Sequence, residues 1–225
     1  MTDAEAPTRR TVAVLASGGL DSAVLVADLL RQGAAVHPLY VRFGLAWEDV
    51  EEAHLRRFLQ TLAASALHPL VVLEMPVAPV YGTHWSLSGE GVPDERTADE
   101  AVYLPGRNLL LLAAPSVWCA LQGVDVIALG TLKGNPFPDA TDTFFGGYAA
   151  LARRAMDVAL EVVTPFGALV KTDVLELGRD LALEHTFSCI DPREGRHCGR
   201  CNKCFERRHA FHVSALEDRT DYADA

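Results

Sequence analysis

The sequence lacks any apolar run long enough to span a bilayer. Its apolar stretches fall short of the roughly 18 consecutive residues that a membrane helix needs. The N-terminal MTDAEAPTRR is polar, and Gly18 and Gly19 soon interrupt the apolar stretch that follows it, so no secretory signal is predicted. These absences predict a cytoplasmic protein with no membrane partner, in a compartment where disulfides are uncommon.

Positive charge is also scarce, with 20 Lys and Arg against 30 Asp and Glu and a formal net charge of −10. An acidic body repels phosphate backbones, so direct nucleic-acid binding is not expected. The sequence shows no internal repeat and no low-complexity tract. A chain of 225 residues that is 49% hydrophobic suits one α/β domain, alone or with a small appendage.

Short apolar runs alternate with amphipathic segments along most of the chain. Strands are predicted at 11–16, 35–41, 69–75 and 124–130, and helices at 22–32, 49–65, 108–123, 145–161 and 171–183. Asn108 is predicted to cap its helix, Pro115 to kink it, and 80–103 to form a polar loop. This alternation is typical of an α/β fold, a parallel sheet with helices on both faces.

The hexapeptide SGGLDS, residues 17–22, lies between the first predicted strand and its helix. Its two glycines let the backbone curl close to a ligand, and successive N–H groups at a helix N-terminus form a cradle suited to phosphate. Ser17 and Ser22 add hydroxyl donors, while Asp21 either caps the helix or holds a Mg²⁺ that bridges phosphates. The patterns G-x-x-x-x-G-K-[ST] and G-x-G-x-x-G are absent, and a plain strand-to-helix turn is the structural alternative.

Four of the five cysteines form a cluster in the tail, which changes composition after residue 188. They are Cys189, Cys198, Cys201 and Cys204. Their spacing predicts four thiolates around a tetrahedral Zn²⁺, in a structural site because no ligand position stays open. A redox pair or an iron–sulfur cluster are the alternatives. Cys119 lies in an apolar helix and is predicted to be a core residue.

The SGGLDS loop resembles the SGGxDS pyrophosphate loop of the ATP pyrophosphatase superfamily, which has a Rossmann-like, adenine nucleotide alpha hydrolase-like fold. The resemblance implies that ATP is bound and that pyrophosphate leaves on this loop. It implies that the leaving pyrophosphate is held by Ser17, Gly18, Gly19, Leu20, Asp21 and Ser22. It also implies that the backbone near Leu39, Tyr40 and Val41 binds the adenine of ATP.

Together with the cysteine tail, further motifs resemble the 7-cyano-7-deazaguanine synthase family over nearly the whole length. They are LYVRFG, YLPGRNLLLL, VVTPFGALVKTDVLELG and SCI…CGRCNKC. The resemblance implies conversion of 7-carboxy-7-deazaguanine and ammonia, with ATP, to a nitrile through an adenylated intermediate. It implies catalytic roles for Asp21, Arg107 and Lys171, and a homodimer. We expect an ATP-binding domain at 1–186 and an integrated zinc-binding tail at 187–225.

The chain departs from that family where the base is expected to bind. FGLAWED replaces a Q-R-H stretch, and TLKGNPFPDATDTFF replaces a segment like D-Y-S-G-Y-P-D-C-R-P-E-F. A guanine-like edge offers N–H donors, so Asp139 or Asp142 is the expected partner, with Phe137 or Phe144 stacked on the ring. The alternative for these aspartates is loop solubility and turn formation.

Three other functions stay open from the sequence. A divergent ligase would adenylate another carboxylate or base with the same loop. A tRNA-thiolation enzyme would need a persulfide-bearing cysteine, and Cys119 is the only one outside the cluster. A zinc-ribbon adaptor would have a degenerate loop and no ATP affinity.

Overall fold

The computed structural model describes residues 10–224, apart from the side chain of Asp99; residues 1–9 of the predicted first domain lie outside the described part. The described strands form a five-stranded sheet in the order β3-β2-β1-β4-β5, with every neighbouring pair parallel. They are β1 (Thr11–Leu15), β2 (Ala35–Arg42), β3 (Val71–Glu74), β4 (Val126–Ala128) and β5 (Glu161–Val163). Strand order reverses between β1 and β4, which is where open parallel sheets bind ligands.

Helices cover both faces of the sheet, as predicted. They are α1 (Leu20–Arg31), α2 (Glu48–Thr61), α3 (Ala78–Tyr81), α4 (Trp85–Ser88), α5 (Arg107–Gln122), α6 (Asp142–Met156), α7 (Lys171–Leu177) and α8 (Asn202–Ser214). Alternate β1 residues point to opposite faces. Val12 and Val14 pack in one core cluster with residues of α1, α2 and α7, whereas Ala13 and Leu15 pack in another with residues of α5 and α6.

The structure corrects several predicted boundaries. The helix predicted at 145–161 ends at Met156, because Asp157 adopts a left-handed conformation (φ 54°), and Glu161–Val163 forms the edge strand β5. The helix predicted at 171–183 ends at Leu177, and a 3₁₀ turn follows at Leu183–His185. The polar segment 80–103 contains α4 and a 3₁₀ turn at Asp99–Val102. Short elements of three or four residues carry too little periodicity to be read from sequence.

The predicted N-cap of α5 is wrong. The helix begins at Arg107 after Gly106 (φ 72°), and Asn108 lies within its first turn. The backbone N–H of Asn108 donates instead to the carboxylate of Asp139, at 2.9 Å, so the cap comes from a distant segment. The helix continues through Pro115 to Gln122. Over residues 10–224, none of the helices combines the length and apolarity needed to cross a bilayer.

Candidate active site

A cavity of about 390 Å³ opens at the carboxyl ends of β1, β2 and β4. Its floor is the strand ends Leu15–Ala16 and Leu39–Val41, together with the loop that begins α1. Its walls come from segments that are distant in the chain, including residues 103–108, 135–139 and 187–190. The volume falls within the range of ordinary small-ligand pockets.

The predicted phosphate loop forms the start of α1 in this cavity. Gly18 has φ 81°, a conformation that residues with a Cβ rarely adopt, and Gly19 is the N-cap of the helix. The hydroxyl of Ser22 donates to the carbonyl of Gly19 (3.2 Å) and lies 3.3 Å from the hydroxyl of Ser17. With no side-chain cap at Gly19, the first N–H groups of α1 stay available to an anion.

Two glycines let the loop pack closely against its neighbours. A Cβ on Gly18 would lie 3.1 Å from Cβ of Leu55 and 3.2 Å from the carbonyl oxygen of Glu51, both on α2. A Cβ on Gly130, which follows β4, would lie 3.0 Å from the carbonyl carbon of Asp21. Sequence reasoning missed Gly130, although a glycine directly after an apolar strand was the available signal.

Asp21 and Lys171 are brought together across 150 residues of sequence. The Lys171 ammonium donates to both oxygens of Asp21, at 2.6 and 2.9 Å, and lies 3.2 Å from a carboxylate oxygen of Glu206. Lys203 contacts the other oxygen of Glu206 at 2.7 Å. All four side chains line the cavity, where they form a row of alternating negative and positive charges.

Opposite charges favour the ionised forms of Lys171 and Glu206, whereas at Asp21 burial outweighs the attraction of Lys171 and raises the pKa of the carboxyl. Burial alone would lower the pKa of Lys171, but the carboxylates of Asp21 and Glu206 outweigh burial and raise it. Burial would likewise raise the pKa of Glu206, but Lys171 and Lys203 bring it down to about 2. Lys171 is therefore an ammonium and Glu206 a carboxylate at neutral pH.

Arg107 lines the cavity at the start of α5, near a partly buried acid, Glu51, that sequence reasoning missed. Glu51 of α2 accepts a hydrogen bond from the Tyr40 hydroxyl at 2.7 Å, and burial raises its pKa to about 7. The predicted adenine-reading residues Leu39, Tyr40 and Val41 all line the cavity. The carbonyl of Leu39 is already bonded to the N–H of Ala16. The assignment of these three residues to adenine stays a prediction.

The residues expected to bind the base divide into two groups. Phe137 and Asp139 line the cavity, and the Phe137 ring stacks on Tyr103 with centroids 4.9 Å apart. Asp139 is 7% exposed. Asp142 and Phe144 are absent from the cavity lining, and Asp142 is exposed beside the Thr164 hydroxyl. Of the two predicted aspartates, Asp139 therefore lies at the cavity and Asp142 lies outside its lining.

The segment FGLAWED, where the chain departs from the Q-R-H pattern, forms another wall of the cavity. Glu48 is 2% exposed, and its carboxylate accepts the backbone N–H groups of Phe43 and Gly44. This fixes the turn that carries Trp47, whose ring stacks on Trp85 with centroids 5.8 Å apart. Both indoles line the cavity. No recognisable sequence motif predicts that this carboxylate is buried and accepts hydrogen bonds from main-chain N–H groups.

The four clustered cysteines are buried, with all their sulfurs within 4.8 Å of one another. The Sγ atoms of Cys198 and Cys204 lie 3.9 Å apart, and those of Cys189 and Cys201 lie 3.8 Å apart. These distances are far longer than the roughly 2.05 Å of a disulfide. They match the separation of about 3.8 Å expected between thiolates bound at about 2.3 Å to one tetrahedral metal. The donor set therefore fits a zinc-type ion.

The cysteine segment contacts the phosphate loop directly. The N–H of Phe187 donates to the carbonyl of Gly18 at 2.7 Å, two residues before Cys189. Arg207, 2% exposed on α8, donates to the hydroxyl of Thr186 at 2.8 Å and to the carbonyl of Leu183 at 2.8 Å. The tail is thus part of the cavity wall.

The sheet order and the glycine loop at the start of α1 define an adenine nucleotide alpha hydrolase-like fold, which carries a four-cysteine cluster near its C-terminal end. A 4-thiouridine synthetase, solved with RNA and bound ATP, is 16% identical with a TM-score of 0.51 over 92% of this chain and 51% of that one. A predicted subunit of a tRNA methyltransferase from Methanocaldococcus jannaschii is 15% identical with a TM-score of 0.50, covering 75% of this chain and 73% of that one. At such identities, the likeness concerns the fold alone.

The family model for the queuosine biosynthesis protein QueC matches residues 11–215, and the chain belongs to that family. A 7-cyano-7-deazaguanine synthase from Rhizobium rhizogenes is 34% identical, covering 94% of this chain and 91% of the relative. A 7-cyano-7-deazaguanine synthase 2 from Sulfurisphaera tokodaii is 29% identical over 95% of this chain, and a synthase from Sulfolobus acidocaldarius is 31% identical over 95%. The chain spans 48% of the length of each of these last two relatives.

Proposed function

We propose that the protein uses ATP to convert 7-carboxy-7-deazaguanine and ammonia into 7-cyano-7-deazaguanine. The observation that carries the proposal is the joining of Gly19, Asp21 and Lys171 in one cavity, within a chain of the QueC family. The named synthase function of its relatives supports the substrate. The cytoplasmic location and the homodimer remain predictions.

The phosphate end accounts for activation of the acid. The substrate carboxylate attacks the α-phosphorus of ATP, the bond to the β-phosphate oxygen breaks, and pyrophosphate leaves. The N–H groups at the start of α1, the hydroxyls of Ser17 and Ser22, and the cations Lys171 and Arg107 stabilise the charge on the leaving group. Positioned donors of this kind are worth about 10² to 10³ in rate each.

Asp21 is the loop residue suited to a divalent cation. Its carboxylate contacts Lys171 through both oxygens yet remains 26% exposed, so lone pairs stay available for Mg²⁺. Held by Asp21, Mg²⁺ would neutralise negative charge on the phosphates.

The nitrile requires two activations, because an amide comes first. Ammonia attacks the acyl adenylate carbon, the C–O bond to AMP breaks, and one proton is lost, which leaves the primary amide. The amide oxygen then attacks a second ATP and pyrophosphate leaves again. Loss of AMP together with the two remaining N–H protons gives the nitrile. No nucleophilic side chain is needed at any step.

Recognition of the base is assigned to the other end of the cavity. Asp139 offers a carboxylate to the N–H donors of a guanine-like edge, and Phe137, stacked on Tyr103, offers a flat apolar face. Asp142 was the second predicted partner, but its exposed position outside the cavity lining supports Asp139 instead.

The cysteine cluster is proposed to hold a structural Zn²⁺ through Cys189, Cys198, Cys201 and Cys204. Four thiolates complete a tetrahedral site, so the ion would stabilise the fold of the tail. A thiolation enzyme is disfavoured, because Cys119 is 0% exposed in α5 and burial raises its pKa to about 12.

The test incubates zinc-loaded protein with Mg²⁺, ATP, ammonia and 7-carboxy-7-deazaguanine, and detects amide, nitrile, AMP and pyrophosphate by mass spectrometry. We expect the nitrile, with two AMP formed for each. Formation of AMP and pyrophosphate with a different acid only would retain the activation chemistry and replace the substrate. Absence of AMP with every acid tried, alongside an active relative, would overturn the proposal.

A further inference from the structure

Lys203 is a cavity residue that belongs to the cysteine cluster segment. It lies between Cys201 and Cys204, in the first turn of α8. The thiol sulfur of Cys201 caps that helix by accepting the N–H of Cys204. The geometry that closes the cysteine cluster therefore also fixes where the Lys203 side chain leaves the backbone.

Two ammonium groups share one carboxylate at the phosphate end of the cavity. Glu206 lies 2.7 Å from Lys203 and 3.2 Å from Lys171, and Lys171 lies 2.6 Å from Asp21 on the loop. A carboxylate held between two ammonium groups occupies the kind of position that a phosphate group takes between two lysines. Lysine is suited to such an exchange of partners, because it is a point charge on a flexible stem.

We propose that Lys203 is a pyrophosphate-binding residue of the active site, placed there by the cysteine cluster. When ATP binds, the Lys203 ammonium would turn from Glu206 to the β- or γ-phosphate. It would remain bound to pyrophosphate as the pyrophosphate leaves. This inference rests on the proposed function, because it extends the same phosphate site from the α1 loop and Lys171 to the tail.

Arg200, another cation of the tail, lacks this geometry and supplies a matched control. Arg200 belongs to the same cysteine segment but is absent from the cavity lining, and its guanidinium lies 3.6 Å from Asp191 and 3.8 Å from Asp224. Arg200→Met and Lys203→Met thus remove one positive charge each from one segment. Only Lys203→Met removes a charge that faces the cavity.

The experiment measures binding of inorganic pyrophosphate with Mg²⁺ to zinc-loaded protein by titration calorimetry, with bound zinc quantified for each variant. We expect Lys203→Met to weaken pyrophosphate binding by tenfold or more. We expect Lys203→Arg to remain within about threefold of the native protein and Arg200→Met to match it, since a cation outside the cavity contributes little. Equal zinc content in all variants is part of the expected result.

Each other outcome decides against the inference. Unchanged pyrophosphate binding in Lys203→Met overturns it and leaves the proposed function intact, provided that the native protein binds pyrophosphate and ATP. Equal losses in Lys203→Met and Arg200→Met would indicate a general charge effect, and loss of zinc in Lys203→Met would assign the residue to the metal site alone. Failure of the native protein to bind either ligand would overturn both proposals.

Discussion

The proposed phosphate end and the proposed base end of the cavity are built differently. The phosphate end consists of main-chain N–H groups on one continuous loop, locked by ion pairs between Asp21, Lys171 and Glu206. The base end consists of single side chains from separate loops, such as the stacked pair Tyr103 and Phe137. A site made of backbone is hard to alter without losing the reaction, whereas a site made of loop side chains can change its specificity.

Removal of the metal should have the largest effect of the changes predicted here, and it should also weaken ATP binding at the phosphate end. We expect Cys201→Ser, or chelation of the ion, to unfold the cysteine segment, since apparent zinc binding in small cysteine sites is worth about 10–16 kcal/mol. The hydrogen bond from Phe187 to Gly18 would then be lost, and ATP affinity with it. Limited proteolysis, thermal unfolding and ATP binding would measure this. Retained ATP affinity in metal-free protein would show that the phosphate end does not depend on the tail.

Loss of Lys171 should rank second and should affect the phosphate end alone. Lys171→Met removes a cation from the leaving group and leaves Asp21 and Glu206 without it, so we expect AMP formation to fall by about 10² to 10³. Lys133→Met is the control, because Lys133 is exposed and absent from the cavity lining. Steady-state rates of AMP and pyrophosphate release measure the effect. Equal rates for both variants would remove Lys171 from the chemistry.

A change at Asp139 should weaken binding of the acid at the base end and leave ATP binding at the phosphate end unchanged. Asp139→Asn keeps an oxygen for the N–H of Asn108 but puts a neutral group against the donors of the base. Loss of a charge-assisted hydrogen bond is worth about 1.5–3 kcal/mol, so we expect KM for the acid to rise by roughly 10- to 100-fold. The affinity for ATP should not change. An equal rise in KM for ATP would mean that Asp139 serves the phosphate end.

Residues of the cavity that belong to local sequence motifs could be predicted from the sequence, whereas residues that only the fold brings to the cavity could not. The loop at 17–22 and the cysteine spacing are local patterns, so their chemistry is visible in consecutive residues. Glu51 and Lys203 reach the cavity only because the folded chain brings α2 and α8 against the loop, and no local pattern signals that. Asp142 was chosen by residue type, and only the fold distinguishes it from Asp139.

The same distinction applies to the fold. Long apolar runs gave β1, β2 and α1 to within two residues at each end, because periodicity accumulates over several turns or alternations. The edge strand β5 has three residues and is held by pairing with β4, which is a tertiary interaction. Asn108 resembled an N-cap by type, but the cap of its helix is a carboxylate supplied 31 residues away.

The smallest predicted effect tests whether the loop's shape, apart from any charge, sets nucleotide affinity. Gly18 and Gly33 flank α1 with φ of 81° and 88°, so alanine at either position should cost about 1–2 kcal/mol in unfolding free energy. Nothing lies within 4 Å of a Cβ on Gly33, whereas one on Gly18 would meet Leu55 at 3.1 Å. We therefore expect only Gly18→Ala to displace the loop and weaken ATP binding, by roughly tenfold. Denaturant titration and calorimetry of both variants measure the two effects, and equal ATP affinity would mean that the loop tolerates the shift.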